Sequence, residues 1–199
     1  MRNVTGPVLV TLDPVVPPQW DVCLDIEAQH GASWGSTYDA RIFMGMAIGL
    51  PDGTTDYLPP GSGAMEMKGF VDRYLPRGAT VLAHNGKYDL PGINGECMRL
   101  GLPKLPILAL IDTCNHLGKH GQMFSKSLAN LAGHFGIEAK GGVSRYEWEQ
   151  LYRTVYNEHD PKWIALKEYN ELDVQVTIQL EAAERAAGWL PNTTVKWSP

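Results

Sequence analysis

Apolar and polar side chains alternate along Trp20–Ala28, with Val22, Leu24 and Ile26 on one side and Cys23, Asp25 and Glu27 on the other. A period of two is the mark of a strand. Ile42–Leu50 is a second apolar run, and Pro51-Asp52-Gly53 turns it back into a third at Thr54–Leu58. Thr80–Ala83 and Ile107–Ile111 are shorter runs of the same type. Between them, Ala64–Leu75 predicts a helix stopped by Pro76-Arg77-Gly78, and Ile93–Leu100 predicts one stopped by Gly101. Leu128–Phe135 reads as helix up to Gly136, and Tyr146–Asn157 as another. Pro161 suits a first helical position and opens a long helix to about Ala187, ended by Gly188.

Strands followed by helices predict a layered α/β domain, and the hairpin at Pro51 makes part of its sheet antiparallel. The expectation is a mixed central sheet of about five strands flanked by helices. Residues 1–19 hold four prolines and predict an extended arm, with room for a short edge strand at Val8–Leu12. Residues 20–190 form the single domain and 191–199 a C-terminal tail.

Composition narrows the function without naming it. The chain has 199 residues, 44% hydrophobic and 20% charged, which is ordinary globular composition. A net charge of −5 argues against a protein that grips nucleic acid by bulk positive charge. Binding a phosphate through metal ions stays open. Cys23, Cys97 and Cys114 are widely spaced, so a reduced interior is expected. No apolar run approaches the ~20 residues that span a bilayer. The start of the chain is too weakly apolar for a secretory signal, so the expected compartment is the cytoplasm, or the host cytoplasm for a phage-encoded chain.

Three stretches carry candidate chemistry. In VCLDIEAQH, residues 22–30, Asp25 and Glu27 project side by side from a strand otherwise made of core residues. Two adjacent half-buried carboxylates repel, so one must take up a proton or a cation must sit between them. A solvated edge strand is the alternative, and the flanking apolar residues disfavour it. In VLAHNGKYDL, residues 81–90, Asn85 and Asp89 are four apart at the end of a strand, where ligand sites gather in α/β sheets. Taken alone, that stretch is better accounted for by helix capping at Asn85, with Asp89 favoured by the helix dipole. In EYNELDVQVT, residues 168–177, Tyr169 and Asp173 share a helix face, with Ile164, Leu172, Val176 and Leu180 expected to pack around it. A tyrosine–aspartate bond within the helix is the plain alternative.

Taken in order, the strand Asp-x-Glu, the Asn-x-x-Tyr-Asp after a strand and the late Tyr-x-x-x-Asp resemble the DEDD exonuclease superfamily in its tyrosine-bearing, DnaQ-like form. The segments DIEA, AHNGKYDLP, IDT, SLANLAGHFG and YNELDVQVT read most like the proofreading domain of phage family-A DNA polymerases. The likeness covers roughly residues 20–185. It implies a ribonuclease H-like three-layer fold and a 3′→5′ exonuclease that hydrolyses single-stranded DNA with two divalent cations, Mg²⁺ or Mn²⁺. It implies that Asp25, Glu27, Asp89 and Asp173 hold the metals and that Tyr169 orients the attacking water. Asn85, Lys87 and Lys126 are the candidate substrate contacts, the last in a glycine-bearing loop at 118–126.

The sister subgroup has a histidine five residues before the last aspartate; Glu168 stands there in this chain. With the sequence ending at Pro199, a stand-alone exonuclease is expected, with a replication or repair protein as a candidate partner. An exoribonuclease of the same superfamily is the alternative, because one 2′-hydroxyl separates the two substrates. So is a non-catalytic nucleic-acid-binding or polymerase-accessory module. Three further features are expected to be structural: Asp112 and the His159-Asp160 pair as caps, and Trp34, Trp148 and Trp163 as packing anchors.

Overall fold

A computed structural model of the chain describes residues 18–29, 42–114, 127–139, 151, 154–188 and 195–196. The strands are β1 (Val22–Gln29), β2 (Ile42–Gly49), β3 (Thr55–Leu58), β4 (Ala79–Ala83), β5 (Ile107–Asp112) and β6 (Val195–Lys196). The helices are α1 (Ala64–Tyr74), α2 (Gly86–Arg99), α3 (Leu128–His134) and α4 (Pro161–Ala186). One sheet runs β3-β2-β1-β4-β5-β6. The β1–β2, β2–β3 and β5–β6 pairs are antiparallel, and β1–β4 and β4–β5 are parallel. The five expected strands are all present. The sixth pairs Lys196 with Ala109 and Val195 with Leu110, so the segment expected as a tail contributes to the sheet.

Alternation along β1 sorts its side chains between two apolar layers. Val22, Leu24 and Ile26 pack with Met67 and Phe70 of α1 and with Leu90, Ile93 and Cys97 of α2. Cys23 packs with Ala47, Leu82 and Ile111 of the sheet and Val174 of α4. The sheet is thus sandwiched between α1 and α2 on one face and α4 on the other, with α3 seated on α4 through Leu131 and Leu180. This is the mixed α/β sandwich expected of the chain.

α4 has the signals read from its sequence. Asp160 caps it, with Oδ1 accepting from the Lys162 N–H at 2.8 Å, and Pro161 occupies its first turn. Gly188, at φ +70°, follows its end. The helix lies so close on β2 that a Cβ on Gly49 would come within 2.6 Å of Val174 Cγ1. Trp163 is buried and meets Tyr156 edge-on at 5.4 Å, as a packing anchor should.

Some expectations are corrected. α2 begins at Gly86, directly after β4, rather than at Ile93. Ile164 is 41% exposed and does not pack with the apolar stripe of α4. The helix expected over Tyr146–Asn157 does not reach its end, since Thr154–Asn157 are not helical; Leu151 is helical. The arm at residues 1–17, Trp34, Trp148 and the loop at 118–126 with Lys126 lie outside the described residues.

Candidate active site

β1 runs past β4. The parallel ladder joins only Val22 to Val81 and Cys23 to Leu82, after which β4 ends at Ala83 and one edge of β1 stands open. The first turn of α2 closes that edge with side chains. Asp89 Oδ1 accepts the Ile26 N–H at 3.2 Å, and the Tyr88 hydroxyl donates to the Ala28 carbonyl at 3.2 Å. Buried backbone groups need such partners. Asp89 is buried at 3% exposure, and this bond brings its carboxyl to the strand that bears Asp25 and Glu27.

On the other edge of β1, β2 carries a bulge. Glu27 pairs with Gly45 but Ala28 with Phe43, leaving Met44 as the extra residue. Gly45 sits at φ +136°, and a Cβ there would lie 2.1 Å from the Tyr57 hydroxyl, so only glycine fits. Bulges re-aim the side chains around them, and this one lies directly across from Glu27.

α4 supplies the remaining groups. Tyr169 and Asp173, four residues apart, are hydrogen-bonded side chain to side chain. Asn170, fully buried, donates from Nδ2 to Asp25 Oδ2. Asp25, Glu27, Tyr169 and Asp173 each keep some solvent exposure.

Electrostatics link the carboxylates. Burial raises the Asp25 carboxyl well above its ordinary value, and the charges of Asp89, Glu27 and Asp173 raise it further, against the Asn170 bond that lowers it. Burial, then the Asp173 charge, pushes Glu27 up to about 8. Asp89 also rises to about 8, chiefly by burial, although its backbone hydrogen bonds oppose the shift. Asp173 rises to about 6 by burial, against the Tyr169 bond. Burial and the neighbouring charge of Asp173 raise the Tyr169 phenol, so it stays protonated at neutral pH. Segments more than 60 residues apart in sequence therefore bring Glu27, Asp89 and Asp173 within electrostatic reach of Asp25, and such clustering of shifted carboxyls is common at functional sites.

Of the other sequence candidates, Asn85 and Lys87 are exposed at the start of α2. Asn85 precedes α2 in the left-handed region, at φ +65°, which asparagine tolerates better than most residues. Its side chain makes no capping bond and is exposed, as is Lys87. Lys126 lies outside the described residues. Asp112 ties the loops together as a cap should: its Oδ1 accepts from the Asn85 N–H at 2.9 Å and the Cys114 N–H at 3.0 Å. His84 Nδ1 lies 2.8 Å from Thr113 Oγ1, in a structural place at the end of β4. In the sequence Asn170 had no role, and Tyr88 figured only as the tyrosine of the Asn-x-x-Tyr-Asp motif. Asn170 could have been found there, because it interrupts the apolar stripe Trp163-Leu166-Val174 at helical spacing.

Among the described residues, no group of three or more His, Cys, Asp and Glu side chains is arranged to hold a metal ion. Asp25 and Asp89 each turn an oxygen to a protein donor instead. The donor set nevertheless has the chemistry that a hard divalent cation requires. It consists of carboxylate oxygens, the ligand type that such ions take.

A family model described as the RNase H superfamily matches residues 22–183. Among solved structures, the chain is similar to the family B DNA polymerase from the hyperthermophilic archaeon Pyrobaculum calidifontis. The TM-score is 0.59 and the identity 19%, over 85% of this chain and 25% of that one. It is also similar to the POL domain of Pol1 from M. smegmatis, solved in complex with DNA primer-template and dNTP. There the TM-score is 0.51 and the identity 14%, over 87% of this chain and 25% of that one. At these identities the likeness speaks for the fold. The chain spans about a quarter of each of those longer chains. No curated protein sequence matches.

Proposed function

Because the chain belongs to the RNase H superfamily, whose members are usually nucleases, we propose that it is a metal-dependent 3′→5′ exonuclease of the tyrosine-bearing DEDD type acting on single-stranded DNA. One observation carries this reading: Asp25 on β1 takes a hydrogen bond from Asn170 of α4 and lies within electrostatic reach of Glu27, Asp89 and Asp173, beside a tyrosine bonded to Asp173. A structural helix bond between Tyr169 and Asp173 would not require the other three carboxyls to be there.

In this reading Asp25, Glu27, Asp89 and Asp173 hold two divalent cations, Mg²⁺ or Mn²⁺. When bound, the ions supply charge neutralisation for the scissile phosphate and lower the pKa of water. They also explain how a chain of net charge −5 takes a polyanion. Tyr169 keeps its proton at working pH, so it positions water by hydrogen bonding rather than acting as a base. Asp173 fixes the tyrosine. Hydrolysis adds water across the P–O3′ bond, the leaving 3′-oxygen takes a proton, and a nucleoside 5′-monophosphate departs. Asn85 and Lys87, exposed at the start of α2, are assigned to the substrate strand.

The test is degradation of 5′-labelled DNA and RNA oligonucleotides with Mg²⁺, Mn²⁺ or chelator. The expected result is stepwise shortening from the 3′ end of DNA, abolished by chelator and by Asp25→Ala or Asp173→Ala, with circular dichroism unchanged. Full activity in either variant removes the assignment. Preference for RNA redirects it to an exoribonuclease, and binding without degradation redirects it to an accessory module. Tyr169→Phe should slow hydrolysis even at saturating Mn²⁺.

A further inference from the structure

We propose that Asn170 is a positioning residue for this site, holding the Asp25 carboxylate by one oxygen so that the other faces the cations. The inference rests on the nuclease reading and gives a role to a residue that this reading leaves without one.

Asn170 is fully buried on the sheet-facing side of α4, where its neighbours in the stripe are Leu166 and Val174. Its Nδ2 donates to Asp25 Oδ2. Its Oδ1 is buried with no hydrogen-bond partner. Burying an amide with one end unsatisfied works against folding. A leucine would fill similar space without that penalty. What asparagine offers, and leucine does not, is an N–H aimed at Asp25.

The same arrangement recurs around the site. Asp89 is held through Oδ1 by the Ile26 N–H, and Asp173 is held by the Tyr169 side chain. Asp25 is held by Asn170. Each of these three carboxylates has a protein donor, and a carboxylate has acceptor capacity beyond one such bond. Groups of this kind, which orient a ligand without touching the metal, tune affinity, and their loss typically weakens metal binding about 10–100-fold. Asp25 gains most from such a tether, because it lies within the electrostatic reach of all three other carboxylates.

The experiment is titration of Mn²⁺ by electron paramagnetic resonance on Asn170→Leu, with thermal unfolding of the same metal-free samples and oligonucleotide hydrolysis across Mn²⁺ concentration. The expected result is a melting temperature at or above that of the wild type and Mn²⁺ affinity weakened about tenfold or more. Hydrolysis should fall at low Mn²⁺ and recover in part at saturation. A purely structural role predicts the opposite pairing: a lowered melting temperature with Mn²⁺ affinity unchanged in the folded fraction. That outcome overturns the inference. If Asn170→Leu does not fold, Asn170→Ser, whose hydroxyl is too short to reach Asp25, carries the same test. Asp25→Ala is the control. Loss of Mn²⁺ in Asp25→Ala, but not in either Asn170 variant, defeats the Asn170 assignment alone. Mn²⁺ binding unchanged in Asp25→Ala defeats the nuclease reading with it.

Discussion

Glu184 is the least comfortable side chain among the described residues. It is fully buried on α4, and neither carboxyl oxygen has a hydrogen-bond partner. Its acidic neighbours are already engaged. Glu181 Oε2 accepts from Trp20 Nε1 at 3.3 Å and from Arg185, and Asp112 holds two loop N–H groups. Burial, then the charges of Glu181 and Asp112, pushes Glu184 from an ordinary 4.5 up to about 8. Between those values the folded chain holds a proton that the unfolded chain releases. The protonated side chain therefore supports folding fully below pH 4.5, and the support drains away as pH rises towards 8. Glu184→Gln keeps the shape and removes the titration. Urea unfolding at pH 5 and pH 8.5 should show the wild type losing on the order of 4 kcal/mol more than the variant over that interval. Equal losses in the two proteins would mean that Glu184 does not titrate there.

At the level of elements, α4 decides the site, because Tyr169, Asn170 and Asp173 all ride on it. Its height above the sheet is set by the bare Cα of Gly49, whose added Cβ would meet Val174 Cγ1 at 2.6 Å and Ile178 Cδ1 at 2.8 Å. Gly49→Ala should therefore cost roughly 1–3 kcal/mol by overpacking. It should also reduce hydrolysis in the folded fraction by lifting Asp173 away from Glu27. Val174→Ala added to it should recover stability, because the two side chains compete for one space. A double-mutant cycle measures this, and strict additivity would show that they do not. The elements most plainly written in the sequence were those fixed by local pattern. β1 alternates strictly between two apolar layers, and α4 has Asp160, Pro161 and Gly188 at its ends. The start of α2 was legible only through the capping alternative at Asn85, because Gly86 and Pro91 are poor helix formers, and the turn is held by Tyr88 and Asp89 reaching β1. Likewise the Asp25, Asp89 and Asp173 motifs were legible as spacings, whereas the Asn170–Asp25 contact joins residues 145 apart and exists only once α4 is docked. β6, a two-residue strand in a segment expected as a tail, has too little sequence to show a period.

For the molecule as a whole, the proposed nuclease reading makes folding and metal binding compete for the same charge in the acidic cluster. Without metal, Asp173 sheds its proton near 6, and Glu27 and Asp89 near 8. All three are raised above their unfolded values, so each supports folding at low pH and withdraws that support as pH passes its folded value. Metal-free protein should be most stable near pH 5 and lose stability steadily to pH 9. Mn²⁺ should reverse the trend, since a cation bound only by the folded, deprotonated site stabilises it by mass action and does so more strongly as protons leave. It follows that Mn²⁺ binding at pH 7 must expel protons, most of them from Glu27, Asp89 and Asp25, the carboxyls with the most strongly raised proton affinity. Calorimetric titration in buffers of different ionisation enthalpy reads that number directly, and at least one proton per protein should be released. Binding with no proton release, or metal-free stability that climbs between pH 6 and 8.5, would show that these carboxyls are already charged at neutral pH, and the account of the site as a cluster waiting for cations would fall.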